Sequence, residues 1–294
     1  MRIAHLSDLH LLDLKGVHPR RFLNRRVTGM VNLLTKRRNA HSPQIFERLL
    51  EDILEQNVDH VVITGDVTHL ALESEFERVA AYLRLLWDYQ HVSLVPGNHD
   101  YYTGGARRAQ RFEKTFYPYL FPNFSDLDVE LYPYAKELGP VTIFGLCSPT
   151  ATLPLFADGY VDAGQQMRFV RLARSAKYRN TFKIVLIHHH FQHPDNALER
   201  TSVLRNRRQV SDLLIDNGAD LVLHGHDHTA CRGWLESKGR RIPVIGAGSC
   251  TATDPRPHKT ARYNVYSIRD RRLEDIEVRR YDLTDRRFET LVEK

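Results

Sequence analysis

Leu221-Val222-Leu223-His224-Gly225-His226-Asp227-His228 is the stretch on which the reading of this chain turns. A short apolar run stops at a glycine, and two imidazoles spaced by one residue follow it. Continuous apolar runs of this length read as strands buried on both faces. The design recurs upstream. Ile3 to Leu6 leads into Ser7-Asp8-Leu9-His10, and Val61-Val62-Ile63 into Gly65-Asp66. Val92 to Val95 leads into Gly97-Asn98-His99-Asp100, and Ile184 to Ile187 into His188-His189-His190. Helix-period segments lie between these runs. Ile45, Leu49, Leu50, Ile53 and Leu54 form one apolar face behind a Ser42-Pro43 cap. Phe76, Val79, Ala80, Leu83 and Trp87 form a second, and Val210, Leu213, Leu214 and Ile215 a third, closed by Asn217-Gly218. Strands alternating with helices indicate an α/β fold. Beyond about residue 230 the helical signals fade, and 241–246, 263–268 and 273–281 read as strands of a second sheet. In open α/β sheets ligands bind beyond the carboxyl ends of the strands, so these polar clusters should converge on one rim.

Composition bounds what that rim can serve. The 294 residues are 42% hydrophobic and 27% charged, an ordinary globular balance that excludes a disordered or fibrous chain. A net charge of +6 suits an anionic substrate or surface. No apolar run approaches the roughly 18 residues of a membrane span, and the first residues do not read as a signal peptide. The three cysteines, Cys147, Cys231 and Cys250, are widely separated, which makes a reducing, cytoplasmic setting the expectation.

Each polar cluster has a bland reading when taken alone. Asp8 and His10 point the same way in extended chain, as half of a divalent-metal site would, yet Asp-x-His is a weak signal. Gly65-Asp66 reads equally as a turn. In Gly97-Asn98-His99-Asp100 glycine permits a tight strand exit and Asn98 offers a neutral oxygen, where an ordinary polar turn is the alternative. His226 and His228 stand against the reading of a surface histidine cluster. Their order at successive strand ends decides between these readings.

That order, Asp-x-His, Gly-Asp, Gly-Asn-His, a lone His and Gly-His-x-His from residue 8 to residue 228, resembles the calcineurin-like metallophosphoesterase superfamily. The resemblance implies a four-layer α/β/β/α sandwich of two mixed sheets flanked by helices, formed here by residues 1–294 as one domain. It implies that Asp8, His10, Asp66 and His228 hold one metal ion, and that Asp66, Asn98, His188 and His226 hold a second, with Asp66 shared. His99 would be the catalytic histidine beside the scissile phosphate. Of the triple, His188 is the expected ligand, because the apolar run ends there and the family's lone histidine occupies that junction. Two divalent ions bring four positive charges against two from Asp8 and Asp66, so the site stays attractive to a phosphate, and Asn98 preserves that excess where an Asp would cancel it. Mixed imidazole and carboxylate ligands suit Mn, Fe or Zn better than Ca.

The remaining polar residues are weighed individually. His5 and His224 read as satisfied core histidines or as supports behind a ligand, and His189 as such a support or a packing residue. Asp100 and Asp227 read as groups that orient histidines. His69 stands where many relatives carry Asn or Asp, and it joins His190 and His193 as a candidate substrate contact. Cys147 and Cys250 read as packing residues.

Residues 14–46 hold no acidic side chain and eight basic ones, and Leu23, Val27, Met30, Val31 and Leu34 follow helical spacing among them. This cap-like insertion at about 14–42 has two readings: peripheral contact with an anionic membrane through residues 18–38, or a helix packed on the protein body. The expected activity is hydrolysis of phosphodiesters by a hydroxide generated between the two ions. The alternatives are a pyrophosphohydrolase of a lipid-linked nucleotide sugar of the UDP-diacylglucosamine type, peripheral to the inner membrane, and a non-catalytic metal-binding scaffold. A nucleic-acid partner is not expected, because no aromatic-interleaved basic groove is legible.

Overall fold

A computed structural model describes residues 1–18, 26, 40–120, 131–150, 156–192 and 201–291. The first sheet is built around β1 (Arg2–Leu6), with β2 (His60–Ile63) and β3 (Val92–Leu94) parallel on one side. On the other side run β10 (Arg262–Arg269), β11 (Arg272–Asp282) and β12 (Arg287–Thr290), each antiparallel to its neighbour. The order is β12-β11-β10-β1-β2-β3, so the late strands do not form a separate second sheet as the sequence suggested: 263–268 and 273–281 return to complete the sheet begun at the amino terminus, and 241–246 joins the other sheet. The second sheet contains β4 (Tyr134–Leu138), β5 (Val141–Gly145), β6 (Phe182–Leu186), β7 (Leu221–His224), β8 (Cys231–Ser237) and β9 (Arg240–Gly246). Its order is β4-β5-β6-β7-β9-β8, with a parallel centre and antiparallel edges.

Side-chain alternation assembles the layers. Ile143, Ile184, Leu186, Leu221, Leu223 and Ile245 point from the second sheet into the core shared with the first. Their neighbours Phe144, Val185, Val222 and Val244 point the other way. That outer face is covered by α5 (Ala163–Ala173) and α6 (Arg207–Asp216), through Phe169, Val210, Leu214 and Ile215. The first sheet shares its core with α1 (Pro43–Glu55), α2 (Glu73–Leu86) and α4 (Arg111–Leu120), with the short α3 (Gly104–Arg108) between the last two. The result is two mixed sheets flanked by helices, as expected.

The amphipathic helices form where the periodicity places them. Ser42 caps α1 by accepting from the Ile45 N–H at 3.3 Å, and Pro43 occupies the first turn. Leu54 departs from expectation: it is 50% exposed, because it lies about 100° around the helix from the buried Ile53. Among the described residues no helix is long and apolar enough to cross a membrane.

Candidate metal centre

The histidine and aspartate clusters meet where the carboxyl ends of both sheets face each other. Asp8 follows β1, Asp66 follows β2, Asn98 follows β3, His188 follows β6, and His226 and His228 follow β7. Leaving a strand into a bowl of converging ligands demands unusual backbone. Asp8, His10, Asp66, His226 and His228 all adopt positive φ, between 45° and 80°. Such conformations are uncommon for residues other than glycine and gather at functional sites. The motif glycines answer a different need, close approach. A Cβ on Gly97 would overlap the Asp66 carboxylate, and one on Gly225 would overlap Ser7 and stand 2.6 Å from Asp8 Oδ2. At Gly65 it would stand 2.7 Å from His188 Nδ1.

The expected ligands fall into two groups around Asp66. On one side Asp66 Oδ2 lies 3.7 Å from His10 Nε2, which lies 2.9 Å from His228 Nε2 and 3.9 Å from Asp8 Oδ1. Asp8, His10, Asp66 and His228 thus place one donor atom each within 4.8 Å of all the others. On the other side Asp66 Oδ1 lies 3.5 Å from His188 Nε2. Asn98 Oδ1 stands 3.0 Å from His188 Nε2 and 2.9 Å from His226 Nδ1, and those two nitrogens are 3.2 Å apart. The structure therefore brings all seven expected ligands together, with the two oxygens of Asp66 turned to different groups.

The donor chemistry fits cations. His188 Nδ1 donates to the Thr64 carbonyl at 2.7 Å, which leaves a lone pair on its Nε2 facing Asn98 and Asp66. Burial drives His188 down to about 3 and holds His10 and His226 well below the ordinary imidazole range, so these rings are neutral. Burial pushes the Asp8 carboxyl up to about 8, although the His226 N–H donates to it at 3.1 Å. Lone pairs crowded at about 3 Å and a carboxylate destabilised by burial are both relieved by positive charge between them.

The supporting residues refine the expectations. His99 donates its backbone N–H to Asp66 Oδ1 at 2.7 Å and its Nδ1 proton to the His69 carbonyl at 2.7 Å. His69 is buried, with its ring 5.4 Å from those of both His10 and His99. His190 is also buried, with Nε2 3.4 Å from Asp227. His193 lies outside the described residues, as does the basic segment 18–38 apart from His18 and Arg26. Among the described residues Asp100 bonds to backbone N–H groups and to Thr68 rather than to a histidine ring. Its carboxylate accepts from the N–H groups of Gly97 at 2.8 Å and Thr68 at 2.9 Å, tying the loop after β3 to the loop after β2. His5 is a satisfied core residue, with its ring nitrogens 3.0 Å from Tyr266 OH and 2.9 Å from Thr64 Oγ1. His189 packs on His226 with ring centroids 4.6 Å apart, while His224 is buried at the end of β7. Cys147 and Cys250 are buried.

A cleft of about 590 Å³ opens over the cluster, lined by Asp66, Asn98, His99 and His226 and by residues the sequence did not single out: His41, Arg256 and Lys259. The cations arrive on the 253–261 loop after β9, and Arg256 pairs with Asp254 at 2.5 Å. Arg26, from the basic insertion, is buried and donates to the carbonyls of Leu70 and Ala71 at 2.7 Å, one and two residues beyond His69.

Comparison with known proteins agrees with this geometry. Residues 1–230 match the family model of the calcineurin-like phosphoesterase. A dimetal phosphatase from Danio rerio superposes with a TM-score of 0.60 at 14% identity, over 94% of each chain. A purple acid phosphatase from yellow lupin (Lupinus luteus) seeds gives 0.56 at 12% identity, covering 98% of this chain and 52% of that one. At such identities the likeness is one of fold. A search of curated proteins returned no significant sequence match. With the family pattern covering residues 1–230 and the same residues gathered in one cleft, the chain belongs to the calcineurin-like phosphoesterase family.

Proposed function

We propose that this protein is a dinuclear metal-dependent phosphoesterase that hydrolyses phosphodiester bonds. The observation that carries the reading is the division of Asp66, with Oδ2 toward His10 of the first group and Oδ1 toward His188 of the second. Divalent ions held in these two groups would supply Lewis acidity to a water and to the phosphoryl oxygens. The chain's own residues do the rest. Asp8 and Asp66 supply the only carboxylates among the seven ligands, so the loaded site keeps a positive excess for a phosphate. His99 is positioned by two hydrogen bonds on the cleft wall, with Nδ1 committed to a carbonyl. Its Nε2 is then the atom that, once protonated, delivers a proton to the departing oxygen. Arg256 and Lys259 at the mouth offer positive charge to the phosphate's substituents.

The test is hydrolysis of bis-p-nitrophenyl phosphate by protein loaded with Mn, beside p-nitrophenyl phosphate. Chelator-sensitive turnover of the diester is expected, with the monoester the poorer substrate. Preference for the monoester removes the diester assignment. No turnover of either ester with Mn, Fe, Zn or Co favours a non-catalytic scaffold.

A further inference from the structure

His41 sits immediately before the cap of α1, outside the five motif clusters, yet the fold places it against the first ligand group. Its ring centroid is 4.5 Å from that of His10 and 5.4 Å from that of His228. The two imidazoles of the first group are themselves 4.7 Å apart, and those of the second group 5.0 Å apart. Ring spacing alone does not distinguish a ligand, since His99 is 4.6 Å from His10. What separates the two is membership. His41 forms a set of three donor atoms within 4.8 Å with both imidazoles of the first group, His10 and His228, beside the set of four that joins those imidazoles to Asp8 and Asp66, whereas His99 shares only His10 with that group.

The hydrogen bonds around His41 fix its tautomer. Its Nδ1 lies 2.9 Å from Thr251 Oγ1 and 3.4 Å from Ser249 Oγ. Each hydroxyl has a single hydrogen, and each commits it to a backbone carbonyl. Thr251 donates to Leu9 at 2.9 Å and Ser249 to Asp8 at 2.8 Å. Both oxygens therefore turn lone pairs toward His41, and Nδ1 carries the proton. The lone pair is left on Nε2. This is the arrangement seen at His188, whose Nδ1 donates to Thr64, and it is how ligating histidines are held. The same hydroxyls grip the Asp8-Leu9 backbone, so His41 is tied in register with the first metal motif.

We infer that His41 is a fifth protein ligand of the ion held by Asp8, His10, Asp66 and His228, acting through Nε2 with Ser249 and Thr251 as positioning residues. This rests on the two-ion reading above. The first group then has three imidazoles and two carboxylates, against two imidazoles, one carboxylate and one amide in the second. The extra nitrogen favours Co, Ni or Zn over Mn at the first position.

Calorimetric titration of the metal-free chain with Co(II) and with Mn(II) tests this directly. The wild type should bind two equivalents. His41→Ala should weaken one of them at least tenfold for Co(II), and less for Mn(II), while leaving the other unchanged. Thr251→Val, which keeps the imidazole and removes its acceptor, should weaken the same equivalent by a smaller factor, in the range of about 10-fold that outer contacts contribute. Free imidazole should restore Co(II) affinity to His41→Gly. Retention of both equivalents within twofold in His41→Ala, or failure of imidazole to restore His41→Gly, overturns the assignment and leaves the two-ion reading standing. A wild type that binds no ion overturns both. If His41→Ala does not fold, unchanged Co(II) affinity in Thr251→Val is the overturning result.

Discussion

The two sheets contribute differently to the centre. The first supplies every oxygen donor of the proposed ligand set, Asp8, Asp66 and Asn98, together with one imidazole, His10. The second supplies imidazoles only: His188, His226 and His228. The second set is oriented by the first, since Thr64 of the β2 exit accepts from His188 and the Asp8 carboxylate accepts from the His226 N–H. Charge is thus concentrated on one sheet and neutral donors on the other. On the two-ion proposal neither sheet alone makes a site, so metal binding should couple to the packing of the two sheets.

The sharpest way to break this comparison is at the shared residue. Asp66→Ala removes an oxygen from both groups and should abolish both equivalents of metal, with activity falling by more than the roughly 10²–10³-fold of a single lost electrostatic contact. His188→Ala, on the second sheet, should lose one equivalent and retain the other, as read by metal content after dialysis. Equal losses from the two variants would contradict the division of Asp66.

Metal removal comes next. At free metal one hundredfold above Kd, binding stabilises the folded chain by about 2.7 kcal/mol. Chelation should lower the melting temperature accordingly, and hydrogen exchange should then show faster opening at the carboxyl ends of β1, β2, β6 and β7 together. Loosening confined to one sheet would mean that the ions do not couple the two.

A smaller effect separates close-approach glycine from ordinary glycine. Gly225→Ala forces a methyl into Ser7 and Asp8 across the seam and should cost about 1–3 kcal/mol, with weakened binding of the first ion. Gly233→Ala, whose Cβ would meet only Val244 at 3.5 Å, should leave metal binding unchanged and stability nearly so. Denaturant titration of the two variants checks the contrast.

The last expected effect is a pH slope, spread over several pH units. His5 is buried within the first sheet and away from the ligands, and burial lowers it from 6.5 to about 3. The unfolded chain therefore takes up a proton below pH 6.5 that the folded chain refuses. His5's share of stability is complete above 6.5 and is lost as pH falls toward 3, at up to about 1.4 kcal/mol per pH unit. Denaturation of metal-free protein between pH 7 and pH 5 should show this slope, flattened in His5→Gln. An unchanged slope in that variant would place the acid sensitivity elsewhere.

Much of the centre is legible in the sequence because strand ends are marked twice, by an apolar run that stops and by a polar cluster that begins. All seven expected ligands carry that double mark. His41 does not: it precedes a helix cap, and only the return of the 249–251 segment across the first motif reveals its place. Arg256 and Lys259 are equally silent, since a charged loop around Pro255 and Pro257 reads as surface until a cleft is seen beside it. The strands β4 and β8 escape for a related reason. In β4 the buried Lys136 breaks the apolar pattern, its ammonium donating to the carbonyls of Tyr89 and Tyr119 at 3.0 and 2.8 Å. In β8 only Leu235 is buried, and Trp234 is exposed. Likewise α5 buries Gln165 and Gln166 through hydrogen bonds to Cys147 and Val161, so its inner face lacks a continuous apolar stripe.

Anomalous diffraction from Mn-loaded crystals probes the assembly at its root. The shared carboxylate requires two peaks, about 3.5–4 Å apart, one against each oxygen of Asp66. A single peak, or two peaks that leave Asp66 bound to only one ion, would contradict it.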